Sequence, residues 1–429
     1  MASSSEQSPA LAALRPQVGT LIVATSAVQL ANGFFNTFIS LRVAQERFDP
    51  TIAGLVLSAY FAGFTVAALW CGRVIDGIGH IRAYAAFAGL VVVATTTMAL
   101  VSEPLIWIVQ RAVIGFGCAG IFVTTESWLN AKTQPAERGR VFATYMVGTF
   151  LALAFGQLLI GPTDITAAAP FNAIAALFAV ALVMVSATRA EAPRATAAAG
   201  TLPFRQLARA APVAFAGCVV NGLLSGTFYS LVPAWMQGDG IDRATIALFM
   251  LAAVLGGLAF QIPVGWLSDR FDRRVVLAVL GCGFGATAIT LVLLPHPIEV
   301  LLPGAALLGG FLSTLYPVCV ANAHDRMPAD RVLAVSRQLI LLSGVGSVLG
   351  PLIGAGVMGR FDIDGVLYFM AAAAFLLAAL ALQQNLATAA PAHLERTFVV
   401  LGPQAASLAH DPLESNDNAP RSSEVDSAA

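Results

Sequence analysis

Apolar positions along this chain do not alternate with polar ones; they run in blocks of some twenty residues parted by short knots of Arg, Asp, Pro and Gly. Crossing about 30 Å of hydrocarbon takes about 20 residues of helix, because lipid offers the backbone no partner and a helix satisfies its own groups. Blocks of that length fall near 18–41, 50–72, 82–101, 104–128, 140–162, 169–187, 211–236, 244–267, 275–294, 298–320, 332–357 and 365–384. The pattern predicts an all-α polytopic membrane protein with twelve transmembrane helices. The first block is too long for the core of a cleaved signal and no small-residue cleavage site follows it closely, so it reads as a retained span.

Composition sharpens this. Of 429 residues 58% are apolar and 11% charged, against about 45–50% and about 25% in soluble globular proteins, so a water-soluble protein is excluded. With 23 Lys+Arg against 24 Asp+Glu and a net charge of -1, no basic excess exists to hold nucleic acid. The cysteines (Cys71, Cys118, Cys218, Cys282, Cys319) lie in apolar stretches without CxxC spacing, which reads as small buried hydrophobes rather than disulfides or a metal site. Neither cofactor nor metal is implied. Basic residues cluster in alternate connections: Arg73, Arg82, Lys132, Arg138, Arg140, Arg270, Arg273, Arg274, Arg326, Arg331 and Arg337 fall on one side, while Arg42, Arg47, Arg243 and Arg360 fall on the other. Because Lys and Arg stay cytoplasmic, the expectation is a multi-pass protein of the cell inner membrane with both termini inside.

The longest interior break, 188–210, is basic and rich in Ala and Pro, and it parts two sets of six helices. The expected organisation is therefore an N-terminal tail at 1–17, a six-helix half at 18–187, a cytoplasmic linker at 188–210, a second half at 211–385 and a disordered tail at 386–429. Asn32-Gly33 recurs as Asn221-Gly222, Gly72…Asp76 as Gly265…Asp269, and Gly156 as Gly350, at offsets of 189, 193 and 194. Near-equal offsets point to internal duplication, and a parallel 6+6 repeat is the footprint of a carrier that rocks one half against the other around a midplane site.

After the eighth helix stands Gly265-Trp-Leu267-Ser268-Asp269-Arg270-Phe-Asp272-Arg273-Arg274, and a weaker copy, Gly72-Arg73-Val-Ile-Asp76-Gly77-Ile-Gly79-His80-Ile-Arg82, follows the second. These resemble the signature loop of the major facilitator superfamily, with Asp272 where the signature has its second glycine. Arg111-Ala-Val-Ile-Gly115 resembles that superfamily's R-x-x-x-G element, and Asn36…Gln45-Glu46, Glu126-Ser127, Arg138-Gly139-Arg140…Tyr145-Met146 and Gly156-Gln157 resemble its bacterial YcaD-like branch. The resemblance implies two pseudo-symmetric six-helix halves that transport by alternating access. It assigns Asp76, Arg82, Asp269, Arg270 and Arg273 to a cytoplasmic gate.

Two charges fall within spans. Arg111 is a candidate for binding solute or ion, since charge at membrane depth is costly and by default functional; the alternative is an arginine that snorkels outward. Glu126, at the end of the same helix, is expected to pair with Arg73 or Arg82 near the cytoplasmic face, or else to carry a proton. Gln29, Asn32, Asn36 and Ser40 share one helical stripe, as do Asn221, Ser225 and Tyr229. With Gln110 these are the candidate cavity residues, hydrogen bonding within the bundle being the alternative for each.

Gly115-Phe-Gly117-Cys-Ala-Gly120 matches a dinucleotide fingerprint but sits inside a transmembrane helix with no strand before it, so it reads as helix packing. Gly346…Gly350-Pro351…Gly354 resembles an antiporter element, displaced to the eleventh helix; in the fifth, Gly156…Gly161-Pro162 is one residue out of register. The reading that results is a non-enzymatic secondary transporter, acting as a monomer on a small organic solute. Uptake of a nutrient is preferred, an aromatic vitamin such as riboflavin suiting the amides and Tyr229. The alternative is proton-coupled efflux of drugs or metabolites, with Arg111 and Glu126 as coupling pair.

Overall fold

The computed structural model describes residues 9–188, 203–328 and 331–387. Their helices are α1 (Pro9–Gln45), α2 (Pro50–Ile78), α3 (His80–Met98), α4 (Pro104–Lys132), α5 (Pro135–Leu158), α6 (Ala169–Ser186), α7 (Phe204–Ala210), α8 (Pro212–Gly238), α9 (Arg243–Arg270), α10 (Arg273–Leu293), α11 (Ile298–Arg326), α12 (Val332–Phe361) and α13 (Gly365–Ala387). Twelve are long and apolar enough to span a membrane. The thirteenth, α7, is a short amphipathic turn in the linker, held to the second half by Arg331 Nη1 donating to Gln206 Oε1 at 3.1 Å. The tail expected from 386 lies outside the described residues beyond Ala387.

Several helices overrun the apolar blocks by one or two turns at the end where arginines gather: α2 reaches Ile78, α4 Lys132 and α11 Arg326. Polar residues that leave the hydrocarbon keep helical hydrogen bonds, so hydropathy marks the membrane rather than the helix. Asp49, Asp242 and Asp272 start α2, α9 and α10 by accepting backbone N–H bonds at residues 51, 244 and 274.

Duplication is visible in the packing. A side chain on Gly63 would meet the Ala112 carbonyl and one on Gly115 that of Tyr60; in the second half Gly256 meets Ala306 and Gly309 meets Ala253. Each partner in the α9–α11 seam lies 193 or 194 positions after its counterpart in the α2–α4 seam. The α1–α5 seam, Gly33 on Leu153 and Gly156 on Leu30, has its counterpart where Gly222 and Gly226 approach Ser343 and Ser347, and Gly346 and Gly350 approach Val219 and Leu223, between α8 and α12. The displaced antiporter-like glycines are thus a packing seam. Gly117 and Gly120 admit Phe87 and Val91 of α3 in the same way.

The loops divide the molecule into an arginine-rich face and an opposite face that carries Glu46, Asp49, Glu103, Asp164, Asp239, Asp242, Asp362 and Asp364. Contacts that join the halves run from mid-depth to the opposite face. Ser40 Oγ donates to the Ser230 carbonyl at 2.5 Å, Arg243 donates to the Thr163 carbonyl, and Gly54 and Pro50 of α2 pack on Leu352, Ala355 and Gly359 of α12. Phe150, Leu153, Ala154 and Val254 form an apolar plug between α5 and α9 with Tyr229 against it. Toward the arginine-rich face Trp70 of α2 and Trp266 of α9 are half exposed. Four of the five cysteines are buried; Cys282 is exposed, correcting the expectation that all would be.

Candidate functional site

Arg111 does not snorkel. It is 1% exposed, its guanidinium 4.6 Å from the ring centroid of Tyr60 and 5.1 Å from that of Phe35. Nη2 donates to Asn36 Oδ1 at 3.4 Å, while Nε and Nη1 have no acceptor among the described residues. The R-x-x-x-G spacing has a mechanical reason. Gly115, one turn on from Arg111, lets the Tyr60 backbone touch α4, and that approach sets the phenol over the guanidinium.

From Asn36 the polar stripe of α1 runs inward along α4. Asn32 Oδ1 accepts from the Tyr60 hydroxyl at 3.4 Å and from Cys118 Sγ at 3.9 Å, and Asn32 Nδ2 donates to Gln29 Oε1 at 3.4 Å. One turn further, Thr25 and Thr125 share a 3.0 Å hydroxyl contact. The structure thus brings together Gln29, Asn32, Asn36 and Arg111, and adds Tyr60 and Phe35. Ser40 leaves this group to bridge the halves. Gln110 is turned to α3, donating to Thr97 Oγ1 at 2.9 Å.

In the second half the corresponding stripe is plainer. Asn221 donates to Ser343 Oγ at 3.3 Å, and Ser225 and Tyr229 are part-buried along the same face of α8. By the 193–194 shift of the seams, Ala253 stands where Tyr60 does and Ala305 where Arg111 does. At this pair of positions the duplicated scaffold therefore carries a cation in the first half only.

Glu126 is 3% exposed, and its one partner among the described residues is the Tyr145 hydroxyl at 3.5 Å. The expected ion pair with Arg73 or Arg82 is not formed. Arg82 is exposed and Arg73 lies over the Trp70 ring at 5.6 Å, both reaching for the surface, whereas Glu126 faces α5.

At the arginine-rich face Asp76 and Asp269 are both exposed. Arg270 stacks on Trp266 at 4.1 Å. Arg273 is buried, 3.2 Å from Asp325 of α11 and 3.9 Å from Asp269. Asp272, which replaces a signature glycine, caps α10 and grips Arg274 at 2.6 Å; burial opposes its charge, but those bonds and the Arg274 and Arg326 charges hold its carboxyl below the usual range. At the matching position of the first half Gly79 has φ of 81°, against -56° for Asp272. The glycine is needed where the turn is left-handed and dispensable where it is not.

Comparison with known proteins agrees with this architecture. The profile of the Major Facilitator Superfamily matches residues 21–242 and 214–397. The chain is 31% identical over 361 residues to the uncharacterized MFS-type transporter YcaD of Escherichia coli O7:K1, covering 83% of this chain and 92% of the relative; the Shigella flexneri protein of that name matches equally. Among solved structures, a D323A mutant of the nucleoside transporter NupG superposes with a TM-score of 0.70 at 15% identity over 87% of this chain and all of the other. A bacterial homologue of the human lysosomal transporter Spinster, in an inward-facing and unoccupied conformation, gives 0.66 at 15% identity, covering 86% and 95%. The chain belongs to the major facilitator superfamily, in its YcaD-like branch, and is a secondary transporter.

Proposed function

We propose that this secondary transporter takes up a small organic solute across the inner membrane, with the arginine-rich face cytoplasmic as the retention of basic loops requires. The buried group Arg111–Asn36–Asn32–Gln29, enclosed by Tyr60, carries this reading. Polar side chains at this depth are costly in lipid, and a cation there marks a solute or ion pathway. Two observations favour uptake over efflux. Gly161-Pro162 lies beyond the end of α5 at Leu158, so the helix lacks the antiporter element. The related glycines of α12 are filled by α8.

The two halves rock about the close seams of α2 with α12 and α5 with α9. Contacts from Ser40 to Ser230 and from Arg243 to Thr163 seal the outer side, while toward the cytoplasmic side Trp70 of α2 and Trp266 of α9 are half exposed. Glu126, an intramembrane acid with no cation beside it, carries the coupling proton. The test is transport in oriented vesicles from cells producing the protein, against a panel of radiolabelled nutrients. Right-side-out vesicles energised with an acidic exterior are expected to accumulate solute; accumulation in everted vesicles with an acidic lumen indicates export and overturns the proposal.

A further inference from the structure

The solute class follows from what Arg111 lacks, and this step rests on the reading of that site as the carrier's binding site. A guanidinium offers five N–H donors and keeps its charge. Here one nitrogen reaches one amide oxygen at 3.4 Å, two nitrogens are buried without acceptors, and the charge is left to two ring faces. The acid on its own helix, Glu126, is fifteen residues away, about 22 Å at 1.5 Å per residue, and is turned to Tyr145.

A neutral aromatic solute would satisfy the amides and leave that cation as it is. A carboxylate would supply acceptors and countercharge together, the pairing for which arginine is best shaped. The number of charges is limited by the scaffold. Ala305 occupies the pseudo-symmetric position of Arg111, so a second carboxylate would find no matching cation. Tyr60, from α2, covers one side of the guanidinium and Phe35 another; the phenol hydroxyl is held by a long 3.4 Å bond to Asn32, and its ring packs on Phe61 and Phe64.

We propose that the solute is a small organic monocarboxylate, held by Arg111 and Asn36 when the Tyr60 ring turns aside. Asn32 and Gln29 then serve polar groups on the rest of the molecule.

The experiment measures thermal unfolding of the purified full chain in detergent with millimolar benzoate, nicotinate, lactate and 2-oxobutanoate, each beside its uncharged amide. At least one acid should raise the unfolding temperature while its amide does not. Arg111→Gln should abolish that rise. Arg111→Lys keeps charge without the fork and should weaken the half-maximal concentration at least about tenfold, the equivalent of one charge-assisted hydrogen bond. Stabilisation by an amide equal to its acid, an acid effect that survives Arg111→Gln, or no stabilisation by any acid of the panel overturns the proposal. Vesicle uptake separates the two readings. Uptake of a neutral solute that is insensitive to Arg111→Gln leaves the carrier standing and removes the carboxylate site, whereas export removes the uptake reading without touching the ligand class.

Discussion

The backbone carbonyl of Tyr60 lies where the side chain of any residue other than glycine at position 115 would begin. This contact fixes how close α2 comes to α4, and through it the height of the phenol over Arg111. Gly115→Ala must push the carbonyl away, an overpacking cost of about 1–3 kcal/mol, and lifts the ring off the guanidinium. A lowered unfolding temperature and lost transport are expected. Gly89→Ala, with open space around it, should change neither. Gly309→Ala makes the same clash on Ala253 in the second half; it should lower the unfolding temperature but leave solute affinity in place, because no ring over a cation depends on it.

Gly79 and Asp272 occupy matching turns with opposite backbone demands. At φ of 81° and ψ of 161° Gly79 sits in a region that is nearly closed to other residues, so Gly79→Ala should destabilise by about 1–3 kcal/mol. Asp272→Ala removes a cap, about 0.5–2 kcal/mol, and its grip on Arg274, itself tied to the Gln384 carbonyl at 2.8 Å. Because the folded state depresses the Asp272 carboxyl, its stabilisation is present above the ordinary value of about 3.9 and disappears as pH falls through the lower folded value. Chemical unfolding of the two variants against pH checks both statements: the Gly79→Ala loss should not vary with pH, whereas the Asp272→Ala loss should shrink as the carboxyl is protonated at low pH, and a pH-independent loss for Asp272→Ala or none for Gly79→Ala would contradict them.

The spans were legible because lipid forces helices of fixed minimum length, and the duplication because glycines at seams cannot be replaced where backbones touch. Arg111 and the α1 stripe were legible as polar groups in apolar runs. Tyr60 and Phe35 were not: each lies among other apolar residues, and only the tertiary approach set by Gly115 shows that the Tyr60 ring meets a cation. Gln110 illustrates the converse, since adjacency to Arg111 in sequence turns it 100° around the helix, toward α3. The partner of Glu126 was missed because spacing along α2 and α3 says nothing about which helix the acid faces.

His296 lies outside the spans with Nδ1 2.5 Å from Asp239 Oδ2 and Nε2 2.6 Å from the Leu291 carbonyl. Burial works against its charge, but these bonds and the charges of Asp239 and Asp364 outweigh it, and its pKa is raised. Its contribution to stability is thus complete below the ordinary value of about 6.5 and is lost as pH climbs through the raised folded value. The same cluster anchors the end of α8 at the face opposite the arginines: Trp235 meets the imidazole edge-on at 5.3 Å and donates to Asp364 Oδ1 at 2.8 Å. The unfolding temperature should fall as pH rises above the ordinary histidine value of about 6.5, and His296→Gln should flatten that slope. A variant with the wild-type slope would assign it to other groups.

Glu126 and Arg111 share α4 but no partner, so the two charges have separable duties. Exchange of labelled for unlabelled solute needs the binding site and the rocking of the halves, but no net movement of protons; under the proposed coupling, accumulation against a gradient needs the proton as well. Glu126→Gln keeps the volume and an acceptor for the Tyr145 hydroxyl while removing the carboxyl proposed to gain and lose a proton. It should therefore leave exchange near the wild-type rate and abolish accumulation driven by an acidic exterior, whereas Arg111→Gln should remove both. Stability should not suffer, since a neutral amide is no more costly to bury than a carboxyl that has one hydroxyl 3.5 Å away. Paired exchange and accumulation assays in proteoliposomes read the two steps separately. Full accumulation by Glu126→Gln would move the coupling proton to another group, and loss of exchange as well would place Glu126 in the binding of the solute itself.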